Sequence, residues 1–275
     1  MKLGLIAGGG EFPLRIAQAA AATGYEVFVV CIRDFCNAEI FSSYKVMTER
    51  LGAGGSIIRR LHDEGISRLV IAGKAERPSL LSLWPDAWMA RALAKVGTAA
   101  FAGDDALLRA VIKLLTDEGF QVLSPQEILR DSVSENGLLA GPEPDSIANS
   151  DIVRGIEALR HLGSLDIGQA IVVQQGLVLG IEAIEGTDAL IARAGVLARH
   201  GVGGVLVKLS KPGQELRIDA PVIGPQTIIS ASAAGLRGIA IEAQRTLITD
   251  KASTLAVANR LGIFVIAVPE CCNEI

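Results

Sequence analysis

Aromatic residues are scarce in this chain, making up 4% of its 275 residues. A core short of rings must be filled by aliphatic side chains. Half of the sequence is hydrophobic, chiefly Ala, Val, Ile and Leu, with 30 glycines for close backbone approach. Histidine is scarcer still: His62, His161 and His200 are the three present, without the dense Asp, His and Asn pattern of a dinuclear metallophosphoesterase. A Nudix-type helix with packed glutamates is missing, and so is the G-x-S-x-G elbow of an acyl hydrolase. The four cysteines, Cys31, Cys36, Cys271 and Cys272, include no pair at the C-x-x-C spacing of zinc or redox motifs. They read as reduced, structural thiols.

Positive charge is not in surplus either. With 26 Lys and Arg against 30 Asp and Glu, the net charge is −4, which offers a polyanion no broad attraction and argues against nucleic acid as a partner. Long apolar runs are absent. The charge-free stretches Ile167–Ile181 and Ala220–Leu236 carry Gln and Gly, and the second has two prolines, so neither suits the roughly 20 apolar residues of a membrane span. The N-terminal run Met1–Ala7 is cut short by glycines and Glu11 before it could form a signal-peptide core. A cytoplasmic protein is the expectation.

What is present is alternation. KLGLIA at residues 2–7, the glycines Gly8, Gly9 and Gly10, and an Ala-rich pattern from Phe12 to Ala22 read as strand, turn and helix. Further strands are expected at Glu26–Ile32 and Arg68–Gly73. Between Asp131 and Asn149 the periodicity gives way to Gly, Pro, Ser and acids. Beyond it come a helix near Asp151–Leu162, the apolar runs AIVVQQ and LVLGIEAI, GGVLVKLS, an LRID strand, a helix over Thr227–Ala234, RGIAIEA, and a final helix and strand. The pattern predicts an α/β protein of two α/β domains, a Rossmann-like first domain with a mostly parallel sheet and a distinct second one. The boundaries are 1–133 and 150–275, with a linker at 134–149.

Several polar clusters sit where such folds place ligands. Gly8, Gly9 and Gly10 before a helix suit either a phosphate or a tight turn; Pro13 stands where a Rossmann fingerprint needs its third glycine. Lys74 and Arg77, in AGKAERP at a strand end, suit an anion or a solvated loop. Asp104 and Asp105, in GDDALLR, precede a helix that one of them would cap. DIGQ with Gln169, EAIEGTD with Glu182, Thr187 and Asp188, and KLSKPGQ with Lys208, Lys211 and Gln214 close the set. With Asp219 they offer carboxylates for a divalent ion such as magnesium and lysines for phosphate oxygens.

In order along the chain, GLIAGGGEFP, AGKAERP, GDDALLR, LDIGQAIVV, IEAIEGTDAL, KPGQELRIDAPVIG and AGLRGIAIEA resemble the LpxI type of UDP-2,3-diacylglucosamine pyrophosphatase, which serves lipid A synthesis in many Gram-negative bacteria. The resemblance implies magnesium-assisted hydrolysis of the UDP-sugar diphosphate to 2,3-diacylglucosamine 1-phosphate and UMP, with water attacking the sugar-side phosphorus. It also implies two domains closing around the lipid-bearing substrate. The family's key aspartate lies in R-x-D-x-P-x-I-G, here Arg217, Asp219, Pro221, Ile223 and Gly224.

On this reading Asp219 is the catalytic carboxylate and a metal ligand, with Asp188 and Glu182 as further candidate ligands. Helix capping by Thr187 and Asp188 competes with that role. Lys208, Lys211 and Arg217 would spread the charge on the leaving UMP. Substrate contacts are expected from Gly8, Gly9, Gly10, Lys74, Arg77, Asp104, Asp105, Gln169, Thr187 and Gln214. A homo-oligomer is compatible with the sequence. Two other classes stay open: a non-catalytic nucleotide-sugar or lipid-binding protein, which has no need of Asp219, and a nicotinamide-dependent oxidoreductase with Asp34 at the second strand's end and a broken fingerprint. The acyl chains would lie in a cavity of small aliphatic side chains, with transient contact at the inner membrane. The protein is therefore expected in the soluble fraction of a lysate; firm retention in washed membranes until detergent is added would contradict this.

Overall fold

The first apolar run, Lys2–Ala7, is strand β1, and the Ala-rich segment after it, Phe12–Ala22, is helix α1. Pro13 sits in the first turn of α1, where its missing N–H costs nothing, and Ile16, Ala17 and Ala20 line the buried side. The computed structural model describes residues 1–75, 83–97 and 104–270. The chain divides into two units, Met1–Leu129 and Arg130–Ile275.

In the first unit β2 (Glu26–Ile32), β3 (Lys45–Glu49), α2 (Gly54–Asp63), β4 (Arg68–Ala72), α3 (Ala87–Val96), α4 (Asp104–Asp117), β5 (Gln121–Val122) and α5 (Pro125–Ile128) follow α1. The strands form one parallel sheet in the order β3-β2-β1-β4-β5. This is the doubly wound arrangement, in which the chain's direction of progress reverses between β1 and β4. Six of the seven residues of β2 are buried, as befits a strand covered on both faces. KVMTE, the sequence of β3, is only partly buried at the sheet edge and lacks the apolar run that marks the inner strands. Cys31 lies buried in β2; desolvation pushes its thiol up to about 12, with Cys36 hydrogen-bonded beside it. Cys271 and Cys272 lie outside the described residues.

The second unit runs β6 (Gly137–Ala140), α6 (Ser146–Gly163), β7 (Ala170–Gln174), β8 (Leu177–Ile181), α7 (Thr187–Val196), β9 (Val205–Lys208), β10 (Val222–Ile223), α8 (Pro225–Ala233), β11 (Gly238–Glu242), β12 (Leu247–Ile248), α9 (Lys251–Leu261) and β13 (Phe264–Val268). Its six-stranded sheet has the order β6-β13-β11-β9-β7-β8. Strands β9, β11 and β13 are parallel, whereas β6 and β7 run antiparallel to their neighbours and β7–β8 is a hairpin. Side chains alternate between two cores. Val172, Leu206, Ile239, Ile241 and Val265 pack with Leu190, Ile191, Ile228, Ala231 and Ala258 of α7, α8 and α9. On the other face Ile171, Val173, Val205, Val207 and Ala240 pack with Ala148, Ile152 and Leu159 of α6.

Two sequence expectations need correction. The stretch 134–149 holds strand β6, paired antiparallel with β13, and the start of α6, capped by the Asp145 side chain accepting from Ala148 N–H at 2.8 Å. Its turn-rich composition hid a short edge strand and a helix cap within what reads as a linker. The expected LRID strand is a turn instead: Leu216 N–H donates to Gln214 O at 3.0 Å, and both Ile218 and Asp219 N–H donate to Glu215 O, at 3.1 and 3.0 Å. Local hydrogen bonds won over the apolar pattern of four residues.

Helix α6 reaches the sheet through a glycine. A Cβ added to Gly155 would stand 2.6 Å from Val207 Cγ2 and 3.3 Å from Ile171 Cγ2. Gly155→Ile is therefore expected to lower the unfolding free energy by about 1–3 kcal/mol, read as an earlier urea midpoint at unchanged slope. A midpoint at or above that of the wild type would contradict this packing.

Candidate active site

Because β8 is antiparallel to β7, and β7 to β9, the carboxyl ends of β8, β9 and β11 share one edge of the second sheet. Open α/β sheets bind ligands outside that edge. Lys208 ends β9 on the face of Leu206, toward α7, and is 6% exposed. Its Nζ donates to Thr187 Oγ1 and to Val222 O, each at 2.9 Å. The Thr187 hydroxyl in turn donates to Glu182 Oε1 at 2.7 Å, and Gln169 N–H donates to Glu182 Oε2 at 3.2 Å. Lysine, hydroxyl and carboxylate thus form one chain at the sheet edge. Nearby Glu185 is held below the usual carboxylate range by its own backbone amide and by Arg193, whose Nη2 lies 2.6 Å from Glu185 Oε1.

The loop after β9 carries Asp219. Gln214, which is buried, fixes it: Nε2 donates to Asp219 O at 2.6 Å and to Asp219 Oδ2 at 2.7 Å, and lies 3.5 Å from Gln169 Oε1. Lys211 N–H holds the other end of that amide, donating to Gln214 Oε1 at 2.7 Å. Downstream, Leu247 N–H donates to Pro221 O at 2.8 Å and Thr249 N–H to Ile223 O at 2.9 Å, so β10 pairs with β12. A Cβ on Gly224 would stand 2.3 Å from Thr249 Oγ1. The Pro, Ile and Gly of the aspartate motif therefore anchor the loop, and Asp219 is left only partly buried.

The structure brings Gln169, Glu182, Thr187, Lys208, Gln214 and Asp219 into one network. Two expected cations are less available than their sequence suggests. Lys211 Nζ pairs with Asp166 Oδ1 at 2.5 Å, and Arg217 grips Glu215 with Nε at 2.8 Å and Nη2 at 2.6 Å. Residues missed from sequence are Glu242 at the end of β11 and Ser210 at the loop's start, linked by hydrogen bonds. The signal was a lone acid closing the apolar run GIAIE.

In the first unit the glycine turn is used differently from the phosphate cradle considered above. Gly8 N–H donates to Ala72 O at 2.8 Å and Gly9 N–H to Lys74 O at 2.7 Å, and Lys74 N–H returns to Gly9 O at 2.9 Å. A Cβ on Gly8 would stand 2.6 Å from Lys74 O. Gly8 and Gly9 thus close β1 against the loop after β4, and their amides are spent on backbone; Gly10 sits at φ +89°. The Lys74 side chain is exposed. Asp105 lies within the first turn of α4, not before it, and pairs with Arg109 at 2.9 Å. Arg77 and the side chain of Asp104 lie outside the described residues.

The expected three-carboxylate metal set is not assembled. Among the described residues no group of three or more His, Cys, Asp or Glu is placed to hold a metal ion. Asp188 is exposed on α7, and both Glu182 oxygens already accept hydrogen bonds. Asp219 remains. One partly exposed carboxylate fits magnesium, which keeps several waters and takes further ligands from substrate phosphates.

Comparison with known proteins gives the family. The LpxI N-terminal domain matches residues 2–132 and the LpxI C-terminal domain residues 135–266. UDP-2,3-diacylglucosamine pyrophosphatase LpxI of Caulobacter vibrioides is 39% identical over 273 residues, 97% of each chain. The chain belongs to the LpxI family. The whole network from Gln169 to Asp219 lies within the LpxI C-terminal match. Among solved structures, CobK precorrin-6A reductase is similar over 100% of this chain and 90% of that one, at 12% identity and a TM-score of 0.29; nothing about this chain follows from a likeness at that level. Among the described residues no helix is long and apolar enough to cross a membrane.

Thr187 is the hinge of the lysine–carboxylate chain, so Thr187→Val leaves the shape and removes the hydroxyl. The buried ammonium then loses an acceptor, and a loss of about 1–3 kcal/mol in unfolding free energy is expected. Thermal melts of the two proteins check it; an unshifted melting temperature would show that the hydroxyl contributes nothing.

Proposed function

We propose that the chain hydrolyses the diphosphate of UDP-2,3-diacylglucosamine, giving 2,3-diacylglucosamine 1-phosphate and UMP in lipid A synthesis, with magnesium as cofactor. The observation that carries this reading is the Asp219 carboxylate pinned by Gln214, in one hydrogen-bond network with the buried Lys208, in a chain 39% identical to a relative named for that substrate.

In the proposed reaction a water oxygen bonds to the sugar-side phosphorus and the bond from that phosphorus to the bridging oxygen breaks. The bridging oxygen leaves with UMP, and Asp219 takes the proton of the attacking water. Gln214 keeps Asp219 turned for this step through its bonds to both the backbone and the carboxylate. Magnesium, when bound, supplies neutralisation of the diphosphate's charge and a more acidic water. Lys208 gives the site a fixed positive charge. Lys211 and Arg217 already pair with Asp166 and Glu215, which offsets part of their charge and gives them a smaller share of the charge clamp than their sequence suggests.

The test is incubation of the purified protein with UDP-2,3-diacylglucosamine, with and without magnesium, alongside Asp219→Ala. UMP release that needs the metal, and that falls by about 100-fold or more in the variant, is expected. Folded wild-type protein that binds the substrate but releases no UMP would instead make it a carrier of the nucleotide sugar.

A further inference from the structure

Glu242 closes β11, the strand between β9 and β13, and is 1% exposed. It faces α6, on the side of the sheet opposite Lys208. Its carboxylate accepts from Ser210 N–H at 3.0 Å, from the Ser210 hydroxyl, and from Arg160 Nη2 of α6 at 3.2 Å. Arg245 Nη1 lies 3.4 Å from the same hydroxyl and pairs through Nη2 with Glu270. A buried carboxylate is costly unless so partnered, and a well-packed aliphatic residue would serve a strand end at least as well for stability alone.

What the charge adds is a fixed start for the loop that follows β9. Ser210 precedes Lys211, whose N–H donates to Gln214 Oε1 at 2.7 Å, and Gln214 Nε2 donates to Asp219 Oδ2 at 2.7 Å. A continuous series of contacts thus runs from the buried carboxylate to the one at the site. We propose that Glu242, acting through Ser210, is a positioning residue that sets the orientation of Asp219 for hydrolysis, a role that rests on the function proposed above. Glutamine is the discriminating substitution. It has one acceptor oxygen and a donor NH2, so it keeps the shape but cannot accept from both Ser210 and Arg160.

In Glu242→Gln, kcat for UMP release is expected to fall about tenfold or more, since misplacing a reacting group costs up to ~100-fold, while KM stays within threefold. Amide exchange of Lys211–Asp219 should quicken, and that of β9 and β11 should not. A folded Glu242→Gln protein whose kcat falls less than tenfold, or whose loss lies mainly in KM, overturns the proposal. If that variant does not fold, Ser210→Ala replaces it. It removes only the hydroxyl, and at least a threefold loss in kcat is then expected; a smaller loss overturns the role. Should wild-type protein release no UMP, the function reading fails by itself. The exchange of Lys211–Asp219 then decides positioning, and unchanged exchange in Glu242→Gln overturns it.

Discussion

Burial of one ammonium group constrains much of the second unit. Lys208 sits inside the sheet edge, where a charge costs several kcal/mol unless its protons find acceptors. Thr187 and Val222 supply two, and each requirement reaches further. Thr187 must open α7 close to the end of β9, with Glu182 behind it to receive its proton. Val222 must be carried back to the sheet, which the pairing of β10 with β12 achieves. The loop between β9 and β10 is therefore tied at both ends by the need to satisfy one lysine.

The strand period gives that arrangement two sides. Leu206 and Lys208 point toward α7, whereas Ala240 and Glu242 point toward α6. A cation on one face holds the far end of that loop at Val222, an anion on the other holds its start at Ser210, and Gln214 links the start to Asp219. For the proposed hydrolysis the benefit is preorganisation: the carboxylate is oriented before substrate arrives, by an amide that is itself hydrogen-bonded at its other end. Rigid strands provide the frame and the loop provides the reactive group.

The first unit shows how one sequence feature can meet a different requirement. A glycine turn between β1 and α1 stands at the switch point of a doubly wound sheet, where such turns bind phosphates. Here the neighbouring loop comes so close that backbone pairs with backbone at Gly9 and Lys74. The absence of a Cβ allows that approach, so these glycines answer a packing need first.

Sequence alone determined the α/β class, most strand and helix positions, and the aspartate motif, because apolar period and an ordered series of motifs are local properties of the chain. The KLGLIA strand, the helix from Phe12 and the EVFVVCI strand appear where their periods place them. Short or half-buried elements escaped: β3 lacks an apolar run, β6 hides in a turn-rich stretch, and LRID folds as a turn because hydrogen bonds to Gln214 and Glu215 outweigh its pattern. Partnership was decided only by the tertiary structure. That Lys211 belongs to Asp166 across 45 positions and that Glu242 reaches Ser210 across 32 depends on which strand ends share an edge and which face each side chain takes. No local spacing encodes either.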